Sequence, residues 1–111
     1  MVSRPHVERG QIWLVELDPA VGREIQKTRP CLIVSPDAMN RHLRTYTVVP
    51  LTSGSRAAPF RVLIQFRGKE GFLLPEQLRT VDRSRLKTCW GDLDPQTLAR
   101  TLKVLREMFE E

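Results

Sequence analysis

The stretch that decides the fold is Gly22-Arg-Glu-Ile-Gln-Lys-Thr-Arg-Pro-Cys-Leu-Ile-Val-Ser35, in which a basic loop leads into a continuous apolar run. The apolar run, residues 31–35, has strand length and no polar alternation, which predicts a strand buried on both faces. The loop before it follows a second predicted strand, residues 12–17. Pro30 biases Arg29 towards extended backbone, and the arginine fork matches two phosphate oxygens. Because loops held by rigid strands often carry function, Arg29 is the first candidate for a phosphate contact.

Further short strands are predicted on the C-terminal side of this stretch. They cover residues 45–51, 60–66, 72–78 and 80–86. The alternation in 60–66 is the clearest strand signal, and 72–78 is expected to return as its hairpin partner across a turn at 67–71. Pro75 inside that partner indicates an edge position or a bulge. Pro36 is expected at the first position of a short helical turn.

The C-terminal segment has the pattern of an amphipathic helix. Asp94 is an N-cap candidate followed by a proline, and leucines recur at helical spacing from Leu98 to a last apolar position at Phe109. Five to seven short strands followed by one helix predict an α+β fold, a small and strongly curved sheet or barrel. With 111 residues, the chain is expected to form one domain over residues 1–111.

Composition points to a polyanionic partner. The net charge is +5 and the isoelectric point is near 9.9, a balance that favours nucleic acid over a merely solvated basic surface. The isolated Cys31 and Cys89 predict neither a disulfide framework nor a zinc site, so we expect a reducing cytoplasm. No apolar run approaches the roughly 20 residues of a membrane span, and the N-terminus lacks the apolar core of a signal peptide.

Standard catalytic sets are missing from the sequence. His6 and His42 have no evident Ser or Cys partner, and neither metal-ligand spacing nor a glycine-rich phosphate loop occurs, so no cofactor or metal is expected. Polar residues cluster in three places instead, each of which also has an ordinary explanation as solvated charge, turn or ion pair. The clusters are Arg23, Glu24, Lys27 and Arg29; Thr52 and Ser53; and Glu76 and Gln77.

The order and spacing of several short motifs resemble the MazF/PemK/Kid family of toxin endoribonucleases from type II toxin–antitoxin systems. The motifs are Arg9-Gly-Gln-Ile-Trp13, Leu17-Asp-Pro19, Gly22 with Glu24, Arg29-Pro-Cys-Leu-Ile-Val-Ser-Pro36 and Val49-Pro-Leu-Thr-Ser53. Together they span most of the chain, from about residue 8 to the last helix. No single motif is specific, but their combination is.

The resemblance implies an SH3-like β-barrel with a C-terminal helix that works as a homodimer. It implies metal-independent cleavage of single-stranded RNA to 2′,3′-cyclic phosphate and 5′-hydroxyl ends, and inhibition by an acidic, MazE-like antitoxin. Arg29 and Thr52 match the family's catalytic arginine and threonine. The residues expected to contact RNA are Glu24, Lys27, Ser53, Glu76 and Gln77.

The chain departs from the Kid-type members of this family in two places. Leu74-Pro75-Glu76 stands where those members have an Arg-x-Asp arrangement, and Arg23 stands where they have a histidine. The arginine–threonine arrangement is therefore the one that carries over. The group that accepts the 2′-OH proton stays open between Glu24 and Glu76, because arginine, with a pKa above about 12, is a poor base.

Two other functions fit the same predicted barrel. One is a CcdB-like toxin that poisons DNA gyrase, but such toxins use a Trp-Gly-Ile tail and this sequence ends Met108-Phe-Glu-Glu111. The other is a non-catalytic RNA-binding barrel, which explains the basic charge but not the combination of Arg29, Thr52 and Glu24. Incubation with RNA in EDTA separates all three, because only a metal-independent ribonuclease cuts under that condition.

Overall fold

Seven antiparallel strands and two α-helices make up the computed structural model, which describes residues 6–111. The strands are β1 (Gln11–Glu16), β2 (Thr28–Ile33), β3 (Thr45–Thr52), β4 (Val62–Phe66), β5 (Lys69–Leu73), β6 (Arg79–Asp82) and β7 (Leu86–Asp92), and the helices are α1 (Asp37–His42) and α2 (Pro95–Met108). Short 3-10 turns cover Pro75–Gln77 and Arg83–Arg85. No helix within residues 6–111 is long and apolar enough to cross a membrane.

The strands form one curled sheet in the order β4-β5-β3-β2-β1-β7, with β6 also pairing with β3. The central strand β3 pairs with β2 along one edge. Its other edge is shared, because Thr45 to Val48 pair with β6 and the last two residues, Leu51 and Thr52, pair with β5. A single strand thus joins the β4–β5 hairpin to the rest of the sheet, and the sheet curls into a half-barrel, as expected for the α+β barrel.

The sheet is buried on both faces, as the apolar run predicts. Cys31 and Ile33 pack into one core cluster, with Trp13 and Val48, while Leu32 and its neighbour Val34 pack into a second cluster. Successive side chains of a strand point to opposite faces, so this run supplies both cores. Cys31 is fully buried, and that burial raises the pKa of its thiol to about 12 despite the cationic Arg79 and Arg29 nearby.

Helix α2 covers the second cluster. The Asp94 carboxylate accepts hydrogen bonds from the Thr97 backbone N–H and hydroxyl, which confirms the N-cap, and these bonds hold the pKa of Asp94 below its usual value. Leu98 and Leu102 pack against the cluster. The prediction is wrong at Phe109, which is the C-cap and 73% exposed, because the helix ends at Met108 before Phe109 can turn towards the sheet.

The predicted hairpin is wrong in its turn and its second strand. Only Arg67 and Gly68 form the turn, and β5 begins at Lys69. Both turn residues have positive φ, 54° and 78°, as the two-residue type I′ hairpin turn requires. The chain leaves the sheet at Pro75, because proline cannot donate to a strand ladder. Glu76 and Gln77 therefore lie in a 3-10 turn rather than in a strand.

Other boundaries also differ from the predictions. β2 begins at Thr28, so Arg29 lies inside a strand rather than at a loop end, and Thr52 is the last residue of β3. Pro36 is the N-cap of α1, one position before the helix. The predicted strand 80–86 is divided by the 3-10 turn Arg83–Arg85. β7 was not predicted, because Lys, Thr and Gly interrupt its apolar pattern.

Candidate functional site

An open cleft of about 580 Å³ lies where the end of β3 meets β2 and the β4–β5 hairpin. It brings Arg29 together with the adjacent Thr52 and Ser53, which lie far from it in the sequence. Its lining is Arg29, Pro30, Leu51, Thr52, Ser53, Phe66, Arg67, Lys69, Glu70, Gly71 and Trp90. Three cations and one carboxylate in this lining make the cleft positively charged, which suits a phosphate-bearing ligand.

Arg29 is held at its base and open at its tip. It lies in β2 opposite Val15, is half-buried, and its Nε donates a hydrogen bond to the Gln26 carbonyl at 3.0 Å. Within the described part of the chain, neither terminal nitrogen of the guanidinium hydrogen-bonds to the protein and no carboxylate pairs with it. Both terminal nitrogens therefore remain available to a ligand in the cleft that Arg29 lines, and an arginine fork can bind two phosphate oxygens.

Thr52 offers a hydroxyl that can still donate. Its Oγ1 accepts a hydrogen bond from the Gly54 N–H at 3.3 Å, which leaves the hydroxyl proton for a ligand oxygen. The position of Thr52 depends on Gly71 of the neighbouring strand. A Cβ at Gly71 would lie 2.9 Å from the Thr52 carbonyl oxygen, so only glycine permits this approach of the two backbones.

The hairpin and β7 add cleft residues that the sequence analysis missed. Arg67 lies at the hairpin turn, and its guanidinium carbon is 4.6 Å from the centre of the Trp90 ring. Lys69 and Glu70 follow at the start of β5. If the turn had been predicted at Arg67-Gly68, Lys69 and Glu70 would have been assigned to the start of the next strand. Nothing in the sequence indicated the strand that carries Trp90.

Glu24 and Lys27 do not line the cleft. The Glu24 carboxylate accepts a hydrogen bond from the Val21 N–H at 2.6 Å, so it closes its own loop. The Lys27 backbone N–H donates to the Asp18 carboxylate at 3.0 Å. These contacts shape the loop between β1 and β2, and neither residue is among those that line the cleft with Arg29 and Thr52.

Glu76 and Gln77 also lie outside the cleft lining. Glu76 forms a close ion pair with Arg61, with a nitrogen–oxygen distance of 2.5 Å. The Gln77 Oε1 accepts from the Ile25 N–H and its Nε2 donates to the Arg23 carbonyl, both at 3.4 Å. Gln77 therefore ties the β1–β2 loop to the 3-10 turn.

The described residues contain no metal-binding cluster. No group of three or more His, Cys, Asp or Glu side chains within 6–111 is arranged to hold a metal ion. The polar groups of the cleft are those of a site that binds and stabilises negative charge with an arginine fork, a hydroxyl and nearby cations.

The family model and the individual relatives that match this chain all belong to the PemK-like and MazF-like toxins. Residues 8–109 match the family model for the PemK-like, MazF-like toxin of type II toxin–antitoxin systems. The chain is 49% identical over 81 residues to the endoribonuclease PemK of Escherichia coli, a match covering 68% of this chain and 61% of that protein. It is 31% identical over 99 residues to the endoribonuclease toxin MazF of Escherichia coli K12, covering 88% and 89%.

Solved structures agree with the fold. A MazF crystal structure from Deinococcus radiodurans superposes with a TM-score of 0.85 at 26% identity, covering 95% of this chain and 97% of that one. A mycobacterial endoribonuclease, solved in complex with its cognate antitoxin, superposes with a TM-score of 0.77 at 25% identity, covering 91% and 92%. These likenesses confirm the predicted barrel with a C-terminal helix.

Gly71→Ala should destabilise the protein by about 1–3 kcal/mol, because the added methyl group overpacks the contact with the Thr52 carbonyl. Gly54→Ala is the matched control, since a Cβ there meets only the Thr52 hydroxyl oxygen at 3.9 Å and should change stability by less than about 0.5 kcal/mol. Urea unfolding of both variants measures the difference. Equal stability of the two variants would show that the Gly71 contact does not hold the end of β3.

Proposed function

The chain belongs to the family of PemK-like, MazF-like toxins of type II toxin–antitoxin systems, and from this membership we propose that it is a sequence-specific, metal-independent endoribonuclease acting on single-stranded RNA. The observation that carries the proposal is the meeting of Arg29 and Thr52 in one cationic cleft. We propose that residues 1–111 form a single toxin domain. The match covers only 61% of PemK. The proposed activity therefore depends on the cleft of this chain as well as on family membership.

The reaction is attack of a ribose 2′-OH on its own 3′-phosphate. The 2′-oxygen forms a bond to phosphorus, the bond to the 5′-oxygen breaks, and the products are a 2′,3′-cyclic phosphate and a 5′-hydroxyl. Arg29 binds two non-bridging oxygens and stabilises the charge that develops on them, and Thr52 donates a hydrogen bond to one of them. The leaving 5′-oxygen takes up a proton from water, which reaches the open cleft.

Glu70 is the proposed acceptor of the 2′-OH proton. It is the carboxylate among the cleft-lining residues, whereas Glu24 is engaged by its own loop and Glu76 by Arg61. A general base must come within hydrogen-bond reach of the proton that it removes. Of the three glutamates, Glu70 is the one that lines the cleft with Arg29 and Thr52, which supports it as the base.

The proposed partner is an acidic antitoxin, and the proposed active form is a homodimer in the cytoplasm. A net charge of +5 and the cations of the cleft favour an extended acidic segment that lies across the RNA site and blocks it. Free Cys31 and Cys89 fit a reducing compartment.

Arg29→Ala should abolish cleavage of a long RNA in EDTA while the protein stays folded, because the half-exposed side chain contributes little to the core. Thr52→Val, which keeps the shape and removes the hydroxyl, should lower kcat by about 10²–10³-fold, as for loss of one oxyanion donor. Lys103→Gln, on the exposed side of α2, is the charge-matched control. Gel assays with circular dichroism measure both effects; undiminished cleavage by folded Arg29→Ala would refute the site.

Glu70→Gln should lower kcat and remove the fall in activity at acid pH, because the base works only when deprotonated. Glu24→Gln and Glu76→Gln should retain that acid limb, whatever they do to KM. The pH dependence of kcat for the three variants decides among the three carboxylates. Loss of the acid limb in either of the latter two variants would move the role of the base to that residue.

A peptide with the acidic segment of the cognate antitoxin should inhibit cleavage with a micromolar or tighter Kd. The affinity should fall as salt rises, because exposed charges are screened over about 8 Å at physiological ionic strength. Inhibition titrations at several salt concentrations measure the slope. An affinity that does not change with salt would contradict an electrostatic block of the cleft.

A further inference from the structure

Arg67 occupies a backbone position that arginine rarely adopts. It is the first residue of the two-residue hairpin turn and has φ of +54°, where Asn, Asp or Gly is usual. A non-glycine residue held at positive φ is strained, and such residues concentrate at functional sites. The turn alone does not require arginine, so the side chain has another use.

The Arg67 side chain covers a fixed aromatic surface. Trp90 is half-buried and packs against the second core cluster, which holds its ring in place. The Arg67 guanidinium lies over that ring at 4.6 Å, and both residues line the cleft with Arg29 and Thr52. Arg67 is exposed at the turn, so a ligand can displace its guanidinium from the ring while the core cluster holds Trp90 in place.

We propose that Trp90 and Arg67 form a nucleobase subsite of the cleft. A base next to the scissile phosphate stacks on the Trp90 ring in place of the Arg67 guanidinium, and Arg67 then pairs with a backbone phosphate of the same strand. The inference rests on the proposed ribonuclease function and adds to it a position where a base is held. Single-stranded nucleic acids bind in this manner to aromatic surfaces beside cationic grooves.

The composition of the subsite favours a nucleobase over an acidic peptide. Carboxylates would satisfy Arg67 and Lys69, but they would leave the Trp90 ring without a partner. A nucleotide uses both, because it has an aromatic face and a phosphate. Phe66, half-buried in the same lining, adds apolar surface at the position that a stacked base would occupy.

The test first maps the site that wild-type protein cleaves in a long RNA. A short RNA of that sequence is then made uncleavable by one 2′-deoxy nucleotide at the scissile position. Its binding should quench the fluorescence of Trp90, because Trp13 is only 2% exposed and lies outside the cleft. Trp90→Leu should bind this RNA about tenfold to a hundredfold more weakly, as for loss of one base–aromatic stack, and Trp90→Phe should lie between.

Abasic substitutions in the same RNA identify the stacked base. Removing the base at one position should weaken binding to the wild-type protein. The same removal should have little effect on binding to Trp90→Leu, because the stacking interaction is already lost in that variant. The control is Phe60→Leu, which removes the ring of an Arg–aromatic pair outside the cleft, with Arg61 at 5.5 Å. That variant should bind and cleave as wild type does.

Arg67→Asn guards against a variant that merely fails to fold. Asparagine fits the turn better, so thermal stability should hold or rise while KM for RNA also rises. An unchanged KM in folded Trp90→Leu would overturn the subsite and leave the ribonuclease intact. Quenching by an acidic peptide but not by RNA would assign the ring to the antitoxin instead. Absence of any RNA cleavage by wild type would refute the ribonuclease, and the subsite with it.

Discussion

The close contact between the backbones of Gly71 and Thr52 fixes the geometry on which the cleft depends. β3 pairs with β2 and β6 over most of its length and changes partner to β5 only at its last two residues. A side chain at Gly71 would separate β5 from that end by its clash with the Thr52 carbonyl. The hairpin would then lose its position, and with it Arg67, Lys69 and Glu70. The absence of a side chain at Gly71 therefore allows β5 to pair with the end of β3, and this pairing brings the two sides of the cleft together.

The proposed reaction depends on charge and position in place of histidine. Arg29 is braced at Nε by the Gln26 carbonyl, so its fork meets a phosphate without first losing much side-chain freedom. The Thr52 hydroxyl is oriented by the bond that it accepts from Gly54. Preorganised donors of this kind cost little reorganisation when charge develops on the phosphate. The fold supplies them from the paired strands β2 and β3 rather than from loops.

Much of the fold could be predicted from the sequence, because the signals were local. The apolar run after Arg29 predicted a strand buried on both faces, and Asp94 predicted the start of α2. The turn of the hairpin was predicted wrongly because its first residue is arginine, where asparagine, aspartate or glycine is expected. β7 failed because its residues alternate weakly and its pairing with β1 is interrupted by register shifts. The error at β7 thus comes from tertiary pairing, which one sequence does not display, whereas the error at the hairpin comes from local turn chemistry.

The sequence predicted three residues that line the cleft, Arg29, Thr52 and Ser53. It did not predict the lining residues that come from the hairpin and from β7. Arg29, Thr52 and Ser53 meet in the cleft because Arg29 lies near the start of β2 and Thr52 at the end of β3, and these two strands pair in antiparallel order. Glu76 and Gln77 were expected there as strand residues, but Pro75 takes the chain out of the sheet, and their partners are Arg61 and the β1–β2 loop. Trp90 lay in the strand that was missed. The catalytic roles of Arg29 and Thr52 stay a prediction.

In the reaction that we propose, this cleft cleaves RNA through the 2′-OH of the nucleotide before the scissile bond. The most direct measurement compares two RNAs of the mapped cleavage sequence that differ only in a 2′-hydroxyl or 2′-deoxy group at that nucleotide, both in EDTA. The first RNA should be cut to a 2′,3′-cyclic phosphate, and the second should be bound but not cut. Cleavage of the deoxy RNA at the same bond would contradict that reaction.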